Sequence, residues 1–146
     1  MKSMLLSPRY LNLILALAIG LHFLFPIIQI IYFPHTLFGI IVIASGITLD
    51  IWAVLENYNT TIDFNGKATR LVTTGPFQIS RNPIYFGGVI LSLGIAILLG
   101  SLITFVFPAA LLWILNRYYI PFEERNLENT FGEEYLKYKQ KVRRWI

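Results

Sequence analysis

Residues 10–49 read YLNLILALAIGLHFLFPIIQIIYFPHTLFGIIVIASGITL, 40 consecutive positions without a formal charge. As one helix, at about 1.5 Å per residue, the run would be about 60 Å long, twice the roughly 30 Å of a bilayer's hydrocarbon core. It therefore crosses twice. Phe33-Pro34-His35-Thr36 marks the break, because proline cannot continue a helix and Thr36 can cap the next one. Span one is expected at Tyr10–Phe33 and span two at Thr36–Leu55. A second charge-free run of 35 residues covers 82–116, opening with Asn82-Pro83 and pausing at Gly100-Ser101. It reads as a helical hairpin, Ile84–Leu99 and Leu102–Tyr119. The two runs make up half of the 146 residues, 55% of which are hydrophobic and only 14% charged. A soluble domain of this size has no core large enough to hide both, since its helices need a polar outer face. The expected fold is an all-α integral membrane protein. It has about four transmembrane helices, the third and fourth a hairpin, with a cytosolic loop and a C-terminal amphipathic helix, in one domain spanning 1–146.

Two crossings per run put all three charged segments on one side. These segments hold all twelve Lys and Arg residues, and a cytoplasmic excess of basic residues sets orientation. The reading is a multi-pass protein of the cell (inner) membrane with both termini cytoplasmic. The net charge of +4 belongs to segments flanking apolar spans, so anionic headgroups explain it and nucleic acid is not an expected partner. The absence of cysteine removes thiolate nucleophiles, disulfides and zinc–thiolate sites. Two histidines, His22 and His35, are too few for a histidine-rich metal site.

The loop from Glu56 to Arg81 is punctuated by Asn65-Gly66 and Gly75-Pro76, which favour turns, and carries apolar anchors at Leu71, Val72 and Phe77. After span four, Pro121 is expected to open an amphipathic helix. Leu127, Phe131, Tyr135, Tyr138, Val142 and Trp145 recur at steps of three and four, one helical stripe. Gly132 interrupts it, and Glu133-Glu134 starts a second helix. The stripe predicts a helix lying on the membrane, with Lys137, Lys139, Lys141, Arg143 and Arg144 at the headgroups. Asp50, an acid within span two, is expected to reach the interface.

Neither G-x-G-x-x-G nor a phosphate-binding G-x-x-x-x-G-K-[ST] is present. What remains are two polar clusters at the cytosolic ends of the hairpin, Ser80-Arg81-Asn82-Pro83-Ile84-Tyr85 and Glu123-Glu124-Arg125. An antiparallel hairpin brings them together. A guanidinium, an amide, a phenol and two carboxylates then converge at the membrane surface, which suits a cationic ligand carrying hydroxyls and an amine.

Leu71-Val72-Thr73-Thr74-Gly75-Pro76-Phe77 and Ser80-Arg81-Asn82-Pro83-Ile84-Tyr85-Phe86-Gly87 resemble the signature of the isoprenylcysteine carboxyl methyltransferase family and its phospholipid methyltransferase relatives. Glu123-Glu124-Arg125-Asn126-Leu127-Glu128, Phe131-Gly132, Tyr135, Tyr138 and Val142-Arg143-Arg144-Trp145-Ile146 continue it, so the resemblance covers residues 60–146. It implies a small multi-span enzyme that binds S-adenosyl-L-methionine at the cytosolic membrane face and methylates a lipophilic small molecule or lipid. It further implies cofactor contacts from Arg70, Leu71, Val72, Phe77, Asn82, Pro83, Ile84, Tyr85 and Glu123. Arg81, Arg117 and Glu124 are the candidate catalytic residues, the arginines for a carboxylate and the glutamate for ribose hydroxyls or an amine. The eukaryotic enzymes carry Arg-His-Pro where this chain has Arg81-Asn82-Pro83, and asparagine does not titrate near neutral pH. Their substrate-contacting arginine aligns near Tyr119. Methyl transfer from a sulfonium needs alignment and water exclusion more than a base. Two alternatives are a membrane reductase using NADPH and a non-catalytic membrane scaffold.

Overall fold

Proline and glycine set the helix boundaries of this chain. The computed structural model describes residues 28–61 and 70–146, together with residues 16, 19, 20, 22 and 23. Most of the expected first span therefore lies outside the described residues. Helix α1 is Phe38–Thr61, entered through a 3₁₀ turn at His35–Leu37. The N-cap of that turn is Pro34, and no side chain caps it, so Thr36 lies inside the turn and does not cap the helix. Helix α2 is Pro83–Leu99. Pro83 occupies its first turn, where the missing N–H costs nothing.

Gly100 ends α2 with φ +70°, and a Cβ there would lie 2.3 Å from the Ile31 carbonyl. Only glycine meets both conditions. Its own carbonyl accepts from the backbone N–H groups of Ile30 and Ile31, at 2.9 and 3.0 Å. Residues 28–31 are consequently not helical. Gln29 forms an antiparallel bridge with Ser101, so the helix expected to run to Phe33 does not include residues 28–33. Among the described residues there is no other β-structure.

From Leu102 to Phe131 the chain is one uninterrupted helical rod: a 3₁₀ turn, α3 (Val106–Ile114), a π-helical turn at Leu115–Tyr119, and α4 (Ile120–Phe131). Pro121 was expected to begin a separate helix. Here the wider π-turn immediately precedes it and accommodates the ring and the lost N–H of the proline without a break. Gly132, at φ +52°, does separate α4 from α5 (Glu133–Lys141).

Helices α1 and α2 pack antiparallel on small residues. A Cβ at Gly46 would meet the Leu91 backbone nitrogen at 2.7 Å, and one at Gly39 would meet the Gly94 carbonyl at 2.6 Å. Backbones this close are a device of membrane helices, where van der Waals contact replaces the hydrophobic drive. The outer faces fit a lipid environment. Ile40, Ile41, Ile47, Ile51, Trp52 and Leu55 on α1, with Val106 and Trp113 on α3, are exposed. Two helical stretches, His35–Asn59 and Leu102–Phe131, are long and apolar enough to cross a membrane; Pro83–Leu99 is apolar but shorter. Asp50 is half-buried against α2, and a Cβ on Gly87 would come within 2.2 Å of its Oδ1.

Candidate active site

The loop after α1 is pinned from two sides. Thr74 donates its hydroxyl to the Glu56 carboxylate of α1, and the Tyr138 hydroxyl of α5 donates to the Phe77 carbonyl at 2.6 Å. Between these tethers runs a 3₁₀ turn, Gly75–Gln78, entered through Gly75 at φ +56°. Leu71 is buried against Tyr135 and Tyr138, with Leu127, Phe131 and Val142 around them. The stripe predicted to face the membrane thus faces the loop instead, because the loop supplies apolar side chains that dry the same positions. Trp145 leaves the stripe and joins a second cluster of Phe107, Leu111, Leu115 and Ile120. Burial raises the phenols of Tyr135 and Tyr138 above their ordinary range.

Between the loop, the start of α2 and helices α4 and α5 lies a cavity of about 380 Å³. Of the residues expected to hold a cofactor, Arg70, Leu71, Val72, Phe77, Asn82, Ile84 and Glu123 line it. Pro83 and Tyr85 do not, although the Tyr85 hydroxyl is hydrogen-bonded to Glu123. Of the three expected catalytic residues, Arg81 and Glu124 line the cavity. Arg117 does not; it is exposed on the π-turn. Asn57, Leu127, Phe131, Tyr135 and Tyr138 also line the wall, and none of these is among the residues expected to form the site. The seven-residue recurrence Gly39, Gly46, Ala53 would have pointed to Asn57, one turn on along the same face.

The wall nearest the C-terminus is charged and tightly bonded. Glu124, 5% exposed, receives Arg144 through Nε at 3.2 Å and Nη2 at 2.9 Å, a two-pronged contact. Arg81 Nη1 lies 3.2 Å from the same carboxylate and Lys139 Nζ 3.7 Å. Lys139 also pairs with Glu128. Three cations therefore meet two carboxylates in this hub. The side chain of Arg81 is 9% exposed, and its Nε and Nη1 are buried without a hydrogen-bond acceptor. Buried unsatisfied donors are costly, so the arrangement favours negative charge beside Arg81, which Glu124 supplies in part. Glu123 is different. It is exposed at the cavity and places a negative charge one residue away from the buried hub.

Asn82, the cap residue of α2, does not cap it by its side chain. Its Nδ2 donates to the Arg144 carbonyl at 3.0 Å, and its own N–H donates to Ser80 Oγ at 3.1 Å. An amide that donates to a fixed carbonyl is a structural tie at this position.

The sequence profile named Phospholipid methyltransferase matches residues 34–134, which takes in α1, the loop, the hairpin and α4. The chain belongs to this family. It is similar to protein-S-isoprenylcysteine O-methyltransferase B of Arabidopsis thaliana, 31% identical over 97% of this chain and 75% of that protein. The human protein-S-isoprenylcysteine O-methyltransferase is 35% identical over 60% of this chain and 31% of its own length. Among solved structures, the eukaryotic intramembrane Ras methyltransferase, isoprenylcysteine carboxyl methyltransferase, superposes with a TM-score of 0.65 at 25% identity. That match covers 96% of this chain and 52% of the other, so the chain spans about half the length of that relative. The all-helical architecture, the apolar spans and this likeness make the chain a membrane protein built on the intramembrane methyltransferase fold.

Proposed function

We propose that the chain is a membrane-embedded methyltransferase that uses S-adenosyl-L-methionine to methylate a lipophilic acceptor, on a carboxyl oxygen or an amine nitrogen, at the cytosolic membrane face. The observation that carries this reading is the charge layout of the cavity. The Arg81 guanidinium, ion-paired with Glu124 but short of hydrogen-bond acceptors at Nε and Nη1, and an open carboxylate (Glu123) face one space whose other walls include Leu71, Val72, Phe77 and Ile84. A zwitterionic amino-acid end joined to a flat aromatic ring matches that arrangement, and the volume lies in the range of small-ligand sites. Arg81 would hold the carboxylate, Glu123 the ammonium group or ribose hydroxyls, and Phe77 the adenine face. The donor supplies a methyl already activated on a sulfonium. The protein's part is to fix the angle of approach and keep water out, which the buried Tyr135, Tyr138 and Leu71 do on one side. No proton-abstracting histidine is required, and Asn82 stands where one would be.

The acceptor reaches the site sideways from the bilayer in this reading. Four spans, with both termini and the site on the cytosolic face of the cell membrane, follow from the distribution of the basic residues. The test is calorimetry on purified protein with S-adenosylhomocysteine and, separately, NADPH, followed by labelled methyl transfer in liposomes to acceptors of increasing chain length. Binding of the first compound alone and activity that climbs with chain length support the proposal. Binding of NADPH alone would identify a reductase, and binding of neither a scaffold. Good turnover of a water-soluble acceptor would remove access from the bilayer.

A further inference from the structure

We infer that Arg144 is a positioning residue for the methyl-donor site: by occupying Glu124 it keeps the Arg81 guanidinium available to the cavity. The inference rests on the reading of that cavity as the donor site. Arg144 is where four segments meet. Its guanidinium grips both oxygens of Glu124 on α4, while Nη1 reaches Asn116 Oδ1 of the π-turn at 3.0 Å. Its carbonyl accepts from Asn82 Nδ2 at 3.0 Å and Ser80 Oγ at 3.2 Å, and the neighbouring Arg143 carbonyl accepts from the Arg81 backbone N–H at 3.0 Å. Trp145 fixes the segment beside Phe86, ring centroids 6.3 Å apart.

The consequence lies in how Glu124 shares its charge. Arg81 Nη1 pairs with Glu124 Oε1 at 3.2 Å by charge but without a hydrogen bond, while the two prongs of Arg144 take hydrogen bonds on both carboxylate oxygens. With Arg144 removed, Lys139 at 3.7 Å is the remaining contact of Oε2. A buried carboxylate in that state draws the guanidinium already paired with its Oε1 into a two-pronged contact. That guanidinium is Arg81, and the contact turns it away from the cavity. Arg144 thus acts on the ligand through two other side chains and touches it with none of its own atoms.

The experiment compares four full-length proteins in lipid nanodiscs: wild type, Arg144→Ala, Arg144→Lys and the double variant Arg144→Ala/Glu124→Gln. The readouts are the Kd for S-adenosylhomocysteine and the Tm. Arg144→Ala should weaken binding about tenfold or more, the loss of a charge-assisted contact. Arg144→Lys keeps the charge but not the fork and should fall between it and wild type. The decisive arm is the double variant. Removing the competing carboxylate frees Arg81, so affinity should recover by at least threefold over Arg144→Ala. A purely structural role predicts further loss instead. Unchanged affinity in Arg144→Ala, or a double variant weaker than the single, overturns the inference while leaving the donor site standing. If Arg144→Ala does not fold, wild-type affinity in Arg144→Lys overturns it equally. Wild-type protein that binds no S-adenosylhomocysteine overturns the donor site and this inference together.

Discussion

Three glutamates on α4, Glu123, Glu124 and Glu128, lie within two turns of one another yet meet three environments, and replacing each with glutamine separates binding from stability. Glu123 is open to the cavity and bonded to Tyr85. Glu123→Gln keeps the shape and removes a charge-assisted contact of about 1.5–3 kcal/mol, so the Kd for S-adenosylhomocysteine should rise roughly tenfold to a hundredfold with little change in Tm. Glu124 is 5% exposed and serves three cations. Glu124→Gln leaves Arg81 and Arg144 sharing a neutral acceptor, and breaking a buried pair costs about 3–5 kcal/mol. Against a total stability of about 5–15 kcal/mol, that should appear as a large fall in Tm. Glu128 shares the partly exposed Lys139, and an exposed pair contributes about 0.2–1 kcal/mol, so Glu128→Gln should change neither quantity much. The assay is calorimetry beside thermal unfolding on the three variants in one detergent. Equal effects of Glu123→Gln and Glu128→Gln on binding would refute the placement of the site. A Glu124→Gln protein as stable as wild type would refute the hub.

Gly46→Leu forces a side chain into the backbone of α2, where even a Cβ would sit 2.7 Å from the Leu91 nitrogen; overpacking of this kind costs about 1–3 kcal/mol, so Tm should fall, whereas Gly88→Leu, with nothing within 4 Å, should be tolerated. Stability should decline above about pH 10, because burial raises Tyr135 and Tyr138 in the folded state while the unfolded phenols ionise near about 10. Their contribution is complete below the unfolded value and is lost as pH rises toward the folded ones, and the double Phe variant should flatten that limb of a Tm-against-pH curve. His35→Cys, exposed at the start of the turn before α1, should react with a membrane-impermeant thiol reagent only from the outer face of intact cells. Labelling from the cytosol would refute four spans.

Helix number and kind were legible wherever one residue type decides them. Charge-free length marked the apolar helices α1, α2 and the start of the rod, Pro83 and Gly100 bounded α2, and Gly132 divided α4 from α5. The convergence of Arg81 with Glu124 followed from the hairpin alone. Where partners from distant segments decide, the sequence was silent. Pro121 looks like a helix start until the π-turn before it is known. The stripe through Tyr135 and Tyr138 has the same periodicity whether lipid or the Leu71 loop covers it. Arg144 reads as one more headgroup-facing cation, since nothing local marks it as the partner of a glutamate 20 residues earlier. Arg117, singled out by its charge near the end of the fourth span, stands outside the cavity, exposed on the π-turn.

The uninterrupted rod from Leu102 to Phe131 makes bilayer thickness a variable of the chemistry. Thirty residues span about 45 Å, against roughly 30 Å of hydrocarbon, so about a third of the rod is too long for the hydrocarbon core. The charged end of the rod carries Glu123 and Glu124. A rod that tilts to match a thicker or thinner membrane swings its protruding end like the hand of a gauge, while α1 and α2, locked backbone to backbone, stay in register as the dial.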